Sequence, residues 1–323
     1  MCEFSFVIPC YRSELSIRKV VEEIDRVMAT RNVTDYEIVM VNDYSPDGTW
    51  PVLKQLAFED SRRICVNLAK NVGQHGALMA GFRHCNGQYV VTSDDDLQTP
   101  LDGVWAMKDK LDEGYDVVTA RYTSREGFSL GRRLGTLFNR ATNRWLAESK
   151  EAGEIRISAF LLMRKFVVDE LARYTGPFPY VSGLVKRVTL NIASVELPQR
   201  GRAYGQSGYS LTKLMKLWAN AATAFSLKPL RVADVLGMVF AIVGFLLAVI
   251  IIIRKLIHPE IAAGWSSTMS VVIFIGGIMM IMLGVIGEYI GRIYLSINGS
   301  PQYVVRETLN DKHGELPSED EDK

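Results

Sequence analysis

The stretch Val90–Pro100, VVTSDDDLQTP, decides how the chain is read. Tyr89, Val90 and Val91 form an apolar run that leads through Thr92 and Ser93 into three consecutive aspartates, Asp94, Asp95 and Asp96. A buried strand that opens into carboxylates places negative charge at the C-terminal edge of a sheet, where open α/β sheets bind ligands. Carboxylates one residue apart can hold a hard divalent cation such as Mg²⁺ or Mn²⁺, and the cation can clamp a diphosphate. Gln98 adds a neutral oxygen two residues after Asp96. The plainer reading is an acidic turn that caps a helix beginning near Leu101. The sequence on either side chooses between the two.

Upstream, apolar runs alternate with helical periodicity. Glu3–Pro9 reads as a strand, and Arg12–Ala29 places Leu15, Val20, Val21, Ile24, Val27 and Met28 at helical spacing. Tyr36–Asn42 is a second strand, followed by a turn cluster from Asp43 and a helix over Trp50–Phe58. Ile64–Leu68 is a third strand and Gly73–His84 a helix rich in Gly and Ala. Tyr89–Thr92 is the fourth strand, Leu101–Asp112 a helix, and Asp116–Ala120 a fifth strand. This alternation predicts a mostly parallel sheet with helices on both faces. The β-branched strands suit burial on both sides. Four strand ends then share one edge: Pro9–Glu14, Asn42-Asp43, Asn67–Gly76 and the aspartates.

Length and composition narrow the class. The 323 residues suffice for one large or two modest domains. A formal charge of +1 gives no global field for nucleic acid. Cys2, Cys10, Cys65 and Cys85 are far apart and lack metal-ligand spacing, which points to reduced thiols in a cytosolic domain. The N-terminus runs straight into a strand pattern, so no signal peptide is expected. No G-x-G-x-x-G follows the first strand, which disfavours a Rossmann dehydrogenase.

The four loops IPCYRSE, VNDYSPDGT, NVGQHGA and DDDLQTP together resemble those of a family 2 glycosyltransferase of the GT-A fold. The resemblance extends through Val305 and is nearest to the polyprenyl-phosphate glycosyltransferases with two C-terminal spans; dolichol-phosphate mannose synthase is a related match. It implies an α/β fold: a GT-A (Rossmann-like, mostly parallel sheet) catalytic domain, then interfacial helices and a two-helix transmembrane hairpin. The activity it implies is inverting transfer of a sugar from a nucleotide sugar, expected to be a UDP-sugar, to a membrane polyprenyl phosphate, with Mg²⁺ or Mn²⁺. By resemblance, Pro9, Tyr11, Glu14, Asp43, Gln74, Asp94 and Asp95 bind the nucleotide sugar. Asp94, Asp96 and Gln98 hold the metal. Asn42 and Tyr44 stand where many relatives have Asp and Gly.

Past the fifth strand, Arg121–Trp145 interleaves Arg121, Arg125, Arg132, Arg133, Arg140 and Arg144 with an apolar stripe. It is either a solvated helix with a core face or a helix at an anionic membrane surface whose arginines take a phosphate. The resemblance favours the second, with Arg121, Arg132 and Arg133 at the acceptor phosphate. Ile155–Leu171 is a strand and a helix. Many relatives carry an aspartate here as a proposed base, but this chain has Ser158 and Ala159. A phosphomonoester is mostly dianionic at pH 7, with a second pKa near ~6, so such a nucleophile has little need of a base. Ile192–Leu197 is a late strand. The following Gln199–Ser210 matches the relatives' R-x-x-G-x-S-x-Y, which implies that Arg200, Arg202 and Ser207 close over the phosphates. Asp96, Arg121, Arg132 and Arg202 are the residues expected to carry catalysis.

Leu211–Phe225 is an amphipathic helix, either interfacial or buried. Val235–Ile253 and Met269–Ile286 carry no charge. Each is long enough to span a ~30 Å hydrocarbon core with its flanks. Lys228, Arg231 and Arg292 flank the hairpin, and a cytosolic donor favours both termini on the cytosolic side, in a bacterial plasma membrane by resemblance. Gly276, Gly277, Gly284 and Gly287 allow close helix contact or a homo-oligomer. The expected division is residues 1–209 catalytic, 210–231 interfacial, 232–295 hairpin and 296–323 a cytosolic tail with a disordered acidic end.

The sequence leaves two other readings open. A processive polysaccharide synthase is disfavoured because Arg144-Trp145 lacks the glutamine of the relatives' QxxRW. A membrane protein that binds nucleotide sugar without catalysis, or a transferase with another acceptor, is motivated by the missing aspartate at Ser158.

Overall fold

The computed structural model describes residues 2–123, 157–198, 228–257 and 264–311. Contacts divide the chain into two units, residues 1–208 together with 299–323, and residues 209–298.

The first unit is built on an eight-stranded sheet of order β7-β5-β6-β4-β1-β2-β3-β8. The strands are β1 (Phe4–Cys10), β2 (Tyr36–Asn42), β3 (Arg63–Leu68), β4 (Tyr89–Thr92), β5 (Val117–Thr123), β6 (Leu161–Arg164), β7 (Ile192–Pro198) and β8 (Val305–Leu309). β1 pairs in parallel with β2 and β4, β2 with β3, and β5 with β7. β6 and β8 run antiparallel to their neighbours. The mixed but mostly parallel sheet agrees with the expected fold class. The crossover elements are helices α1 (Ile17–Ala29), α2 (Thr49–Glu59), α3 (Gly73–Phe82), α4 (Val104–Asp112), α5 (Lys165–Ala172) and α6 (Val181–Val188). A 3₁₀ turn, Leu101–Gly103, precedes α4.

Strand alternation sorts the core. Phe4, Phe6, Ile8, Ile38, Met40 and Val91 pack with the buried residues of α1, α2 and α4 on one face. Val7 and Val41 face α3 on the other side. There a Cβ at Gly81 would stand 2.4 Å from Val7 Cγ1 and 3.1 Å from Val41 Cγ2, so the Gly/Ala composition of α3 is what lets it lie tight on the sheet. The buried strands carry near-continuous apolar runs, as expected of parallel strands covered on both faces. Cys10, Cys65 and Cys85 are buried in this core and Cys2 is half-buried; all are free thiols. Burial pushes the thiols of Cys65 and Cys85 up to about 12.

Three features depart from the sequence expectation. The first helix begins at Ile17, leaving Tyr11–Ser16 as a loop. β6 inserts antiparallel between β4 and β5, a placement that periodicity along the chain does not specify. The stretch assigned to a cytosolic tail contains β8, which covers the β3 edge and joins the first unit. An uncovered central-type strand such as β3 would expose a row of unpaired backbone groups. Val304 O accepts from Ala69 N at 2.8 Å, and Val305 and Leu309 register with Leu68 and Cys65. Glu307 pairs with Lys54 at 3.1 Å, and Asp311 with His84 at 2.7 Å. Asn310, at φ 59°, donates its side-chain amide to Ala57 O at 2.6 Å and Arg63 O at 3.1 Å.

The second unit contains α7 (Lys228–Ile257) and α8 (Trp265–Ile297). Phe240 and Phe274 meet edge-on with centroids 5.9 Å apart. Among the described residues one stretch, Phe274–Ile297, is long and apolar enough to cross a membrane, and Gly237–Leu246 is a shorter apolar stretch. A Cβ at Gly276, Gly277, Gly284 or Gly287 would meet no other atom of the described residues within 4 Å. Of the expected basic helix Arg121–Trp145 all past Thr123, and all of the expected loop 199–210, amphipathic helix 211–225 and acidic end, lie outside the described residues.

The C-terminal strand predicts its own test. Asn310→Ala removes the side-chain amide that holds two carbonyls and leaves alanine in a left-handed backbone. The expected loss is about 1–3 kcal/mol, seen as a thermal midpoint several degrees lower. An unchanged midpoint would mean that β8 is not anchored through Asn310.

Candidate active site

The site forms where β1 and β4 part. Their ladder ends at Val7 and Thr92, with Ser93 N donating to Val7 O at 3.2 Å, while β1 continues alongside β2 to Cys10 and Asn42. Pro9 lies in this last stretch of β1, beyond the pairing with β4, where its missing N–H costs no bond on that side. The strands on one side of this gap run β1-β2-β3, and β4 lies on the other. That is the switch point at which an open α/β sheet leaves a crevice at its carboxyl ends.

Two carboxylates, Asp43 buried and Asp95 half-buried, lock the loops around the crevice. Asp43 follows β2 and is 3% exposed. Its two oxygens accept from Val72 N at 2.7 Å and Gly73 N at 2.9 Å, the opening of α3, and its backbone oxygen accepts from Asn71 Nδ2 at 3.0 Å. Burial holds the Asp43 carboxyl above its usual pKa against the opposing pull of these two N–H groups. Asp95 Oδ2 accepts from Tyr11 N at 3.1 Å and from the Ser13 hydroxyl. Burial raises its pKa too, opposed by Ser13 and Tyr11. Asp95 thus pins the loop after β1 to the loop after β4, across the gap.

The first two loops are bound to each other as well. Arg12 N donates to Ser45 Oγ at 2.7 Å and Ser13 N to Thr49 Oγ1 at 2.9 Å. Glu14 Oε2 accepts from Gly48 N at 3.1 Å. A Cβ at Gly48 would stand 2.6 Å from the Glu14 carboxyl, so a larger residue there would push this exposed side chain aside and break its bond to the Gly48 N–H. Asn42, where relatives carry Asp, donates Nδ2 to Asn67 Oδ1 at 2.8 Å and ties the ends of β2 and β3.

Asp94 and Asp96 are half-buried, like Asp95, and are held by side-chain amides instead of by the first loop. Asp94 Oδ1 accepts from Gln74 Nε2 at 2.8 Å. Asp96 accepts from Gln98 N at 3.1 Å and Gln98 Nε2 at 2.5 Å. Tyr122 on β5 faces them: burial first, then the charges of Asp94 and Asp96, push its phenol up to about 12. Among the described residues no three His, Cys, Asp or Glu side chains converge into a preformed metal cage. Mg²⁺ typically takes one or two carboxylates and fills its shell with phosphate oxygens and water. Asp94, Asp96 and the Gln98 amide, all hard oxygen donors beside a phenol that feels their charge, fit a cation that arrives with a diphosphate.

Sequence reasoning missed Ser13 and Tyr122. Nothing local marks Ser13, because its partner is 82 residues away. Tyr122 was legible in principle, since alternation from Val118 and Ala120 puts it on the same face, but the strand was ended at Ala120.

The expected acceptor residues are placed less fully. Arg121 lies on β5, exposed, on the opposite face from Tyr122, with its guanidinium 3.7 Å from Glu196 of β7. It is not brought to the aspartates. Arg132, Arg133, Arg200, Arg202 and Ser207 lie outside the described residues. Ser158, at the position of the relatives' aspartate, precedes β6. Its N donates to Thr119 Oγ1 at 2.9 Å and its hydroxyl to Phe160 O at 2.9 Å. Ala159 O accepts from Thr92 Oγ1 at 2.5 Å. Hydroxyls and backbone, with no carboxylate, occupy this corner among the described residues.

A carboxylate-lined crevice at the switch point of a mostly parallel α/β sheet is what the resemblance to GT-A glycosyltransferases leads one to expect. The family described as Glycosyl transferase family 2 matches residues 5–172, and a GtrB C-terminal hairpin matches residues 228–293. The chain belongs to glycosyl transferase family 2. It is 34% identical over 309 residues to the uncharacterized glycosyltransferase YkcC of Bacillus subtilis (strain 168), covering 95% of this chain and 94% of that one. It is 31% identical over 311 residues to an undecaprenyl-phosphate 4-deoxy-4-formamido-L-arabinose transferase of Proteus mirabilis (strain HI4320), with the same coverage. Glucosyl-3-phosphoglycerate synthase from Mycobacterium tuberculosis, solved with Mn²⁺, UDP-glucose and phosphoglyceric acid, superposes with a TM-score of 0.52 at 21% identity. It covers 70% of this chain and 79% of its own, a likeness of fold.

The two kinds of carboxylate predict different variants. Asp43→Ala frees two N–H groups at the start of α3 and is expected to cost about 1–2 kcal/mol of stability. Asp96→Ala, at the mouth, is expected to stay within about 0.5 kcal/mol of the parent. Thermal unfolding of both variants checks this, and equal losses would refute the division of labour.

Proposed function

We propose that this enzyme is an inverting glycosyltransferase that moves a sugar from a nucleotide sugar, a UDP-sugar, to a membrane polyprenyl phosphate. The acceptor is undecaprenyl or dolichyl phosphate, and the product is a lipid-linked monosaccharide for cell-envelope glycan synthesis or modification. The observation that carries this reading is the union, in one chain, of the carboxylate-lined crevice with a C-terminal apolar hairpin. The similarity to undecaprenyl-phosphate sugar transferases along nearly the whole chain supports it.

In this reading Pro9, Tyr11, Glu14 and Asp43 surround the base and ribose, with Gln74 and Asp94 towards the diphosphate. Asp95 supports the donor site from beneath by holding Tyr11 and Ser13 in place. Asp94, Asp96 and Gln98 hold Mg²⁺ or Mn²⁺, which supplies neutralising charge for the departing diphosphate. Arg132, Arg133, Arg200, Arg202 and Ser207 take the acceptor phosphate, whereas Arg121, on the face of β5 away from the aspartates, is left out of this set. A phosphate oxygen forms a bond to the anomeric carbon from the face opposite the nucleotide. The bond from that carbon to the diphosphate oxygen breaks, the electron pair leaves with UDP, and the configuration inverts. The hydroxyl corner at Thr119 and Ser158 suits this acceptor, because a phosphomonoester dianion brings its own nucleophilic charge and needs no proton removed. Catalysis then rests on positioning and on charge stabilisation of the leaving group.

The enzyme is membrane-associated. In the proposed topology α7 and α8 cross the bilayer twice, with the catalytic domain and both termini cytosolic. Association into a homo-oligomer through the α8 glycines belongs to the same proposal.

A donor panel on purified protein in detergent tests the reaction. With UDP- and GDP-sugars, Mn²⁺ or Mg²⁺ and a short-chain polyprenyl phosphate, one donor is expected to give chloroform-extractable sugar. Asp96→Ala and EDTA should each reduce the rate by at least about 100-fold. Nucleotide binding without lipid-linked product from any donor would overturn the acceptor assignment.

A further inference from the structure

The residue after Asp43 is out of the ordinary. Tyr44 has φ 51°, in the left-handed region that a bulky residue adopts at a cost, and the residue is 51% exposed. Such strain persists where surrounding structure over-determines it. Here the Asp43 carboxylate and backbone oxygen are both tied to the α3 loop, which fixes the chain on one side of Tyr44. On the other side Ser45 N donates to Asn42 Oδ1 at 3.3 Å. The exposed ring is therefore held at the donor end of the crevice, next to the carboxylate expected at the nucleotide base.

Over that ring stands Arg306, its guanidinium carbon 5.8 Å from the centroid. Arg306 comes from β8, where Val305 pairs with Leu68 and Glu307 with Asn67 at a register shift. Leu68 is the last residue of β3, so Arg306 lies at the carboxyl edge of the sheet, the edge that carries Asp43 and the aspartates. Its neighbours have structural tasks: Glu307 pairs with Lys54, and Leu309 packs on the core. Arg306 itself is exposed, and among the described residues it makes no ion pair. A guanidinium carries five N–H donors in a planar fork, and stacking on an aromatic face leaves that fork free to donate in its plane.

We propose that Arg306 is a nucleotide-recognition residue, its guanidinium held over the Tyr44 ring and donating to a carbonyl oxygen of the donor's base. The proposal rests on the donor site proposed above and deepens it. Each Asp43 oxygen accepts one backbone N–H and retains a second acceptor position. An acceptor at Asp43 and a donor at Arg306 together match a base edge that presents an imide N–H beside a carbonyl, as uracil does. Cytosine presents a bare ring nitrogen and an amino group there, which would set lone pair against carboxylate and donor against donor. The C-terminal strand thereby supplies a specificity contact to a site otherwise built from the first hundred residues.

The test is equilibrium binding of UDP, UMP and CDP to the full-length protein in detergent with Mn²⁺, comparing the parent with Arg306→Ala and Arg306→Lys. The expected result for Arg306→Ala is a Kd raised about tenfold or more, by the same factor for UDP and UMP, with a narrowed preference for UDP over CDP and an unchanged thermal midpoint. Arg306→Lys, which keeps the charge but loses the planar fork, is expected to fall between. An unchanged Kd in both variants would overturn the proposal, as would a lowered midpoint with intact binding, the mark of a purely structural clamp. A loss seen with UDP and absent with UMP would overturn it in favour of a phosphate contact. If the parent protein binds none of the three nucleotides, the donor reading itself fails, a result distinct from a failure of Arg306.

Discussion

Carboxylates cannot be buried at a sheet edge without partners, and the donor crevice is shaped by how this chain meets that demand. An unpaired buried charge is prohibitive, so each such group must be given hydrogen-bond donors. Asp43 receives the first N–H groups of α3, and Asp95 receives Tyr11 N and the Ser13 hydroxyl. These bonds fix the loops after β1, β2, β3 and β4 relative to one another. Asp94 and Asp96, held by glutamine amides, are left at the mouth where charge is useful. The structural carboxylates and the chemically available ones are thus neighbours in sequence with different tasks.

The sheet topology makes this possible. β1 separates from β4 after Val7, and the space between them exists only because the strand order reverses there. The flanking strands complete the frame from both ends. β5 contributes Tyr122 against the aspartates, and β8 closes the β3 edge after the chain has passed through the whole second unit. Closing an edge protects unpaired backbone groups. It also brings a late segment of the chain alongside the earliest loops.

The hydroxyl corner at Ser158 bears on the chemistry of the family. A sugar acceptor that is an alcohol must lose a proton as it attacks, and a nearby carboxylate is a natural base for that. A phosphate acceptor needs none. Thr119, Ser158 and the Phe160 carbonyl satisfy one another, so the corner is stable without a charge. The proposed phosphate nucleophile is consistent with this local arrangement.

Much of the fold and part of the site were legible in the sequence. The alternation of β-branched runs with helical periodicity is local information, set by which side chains bury on a period of two or 3.6. It placed β1 to β5, α1 to α4 with Gln74 in the first turn of α3, and the loops bearing Asp43 and Asp94–Gln98. The uncharged runs within α7 and α8 were equally plain. What the sequence could not carry was pairing across distance. β6 runs antiparallel between β4 and β5, β8 returns to β3, and Ser13 meets Asp95, because ladders and buried charges are satisfied by partners whose separation along the chain is arbitrary. The division of the aspartates into structural and available groups was also tertiary. Three adjacent residues of one type differ in what the fold brings to each: a backbone N–H and a hydroxyl from the first loop to Asp95, and glutamine side-chain amides to Asp94 and Asp96.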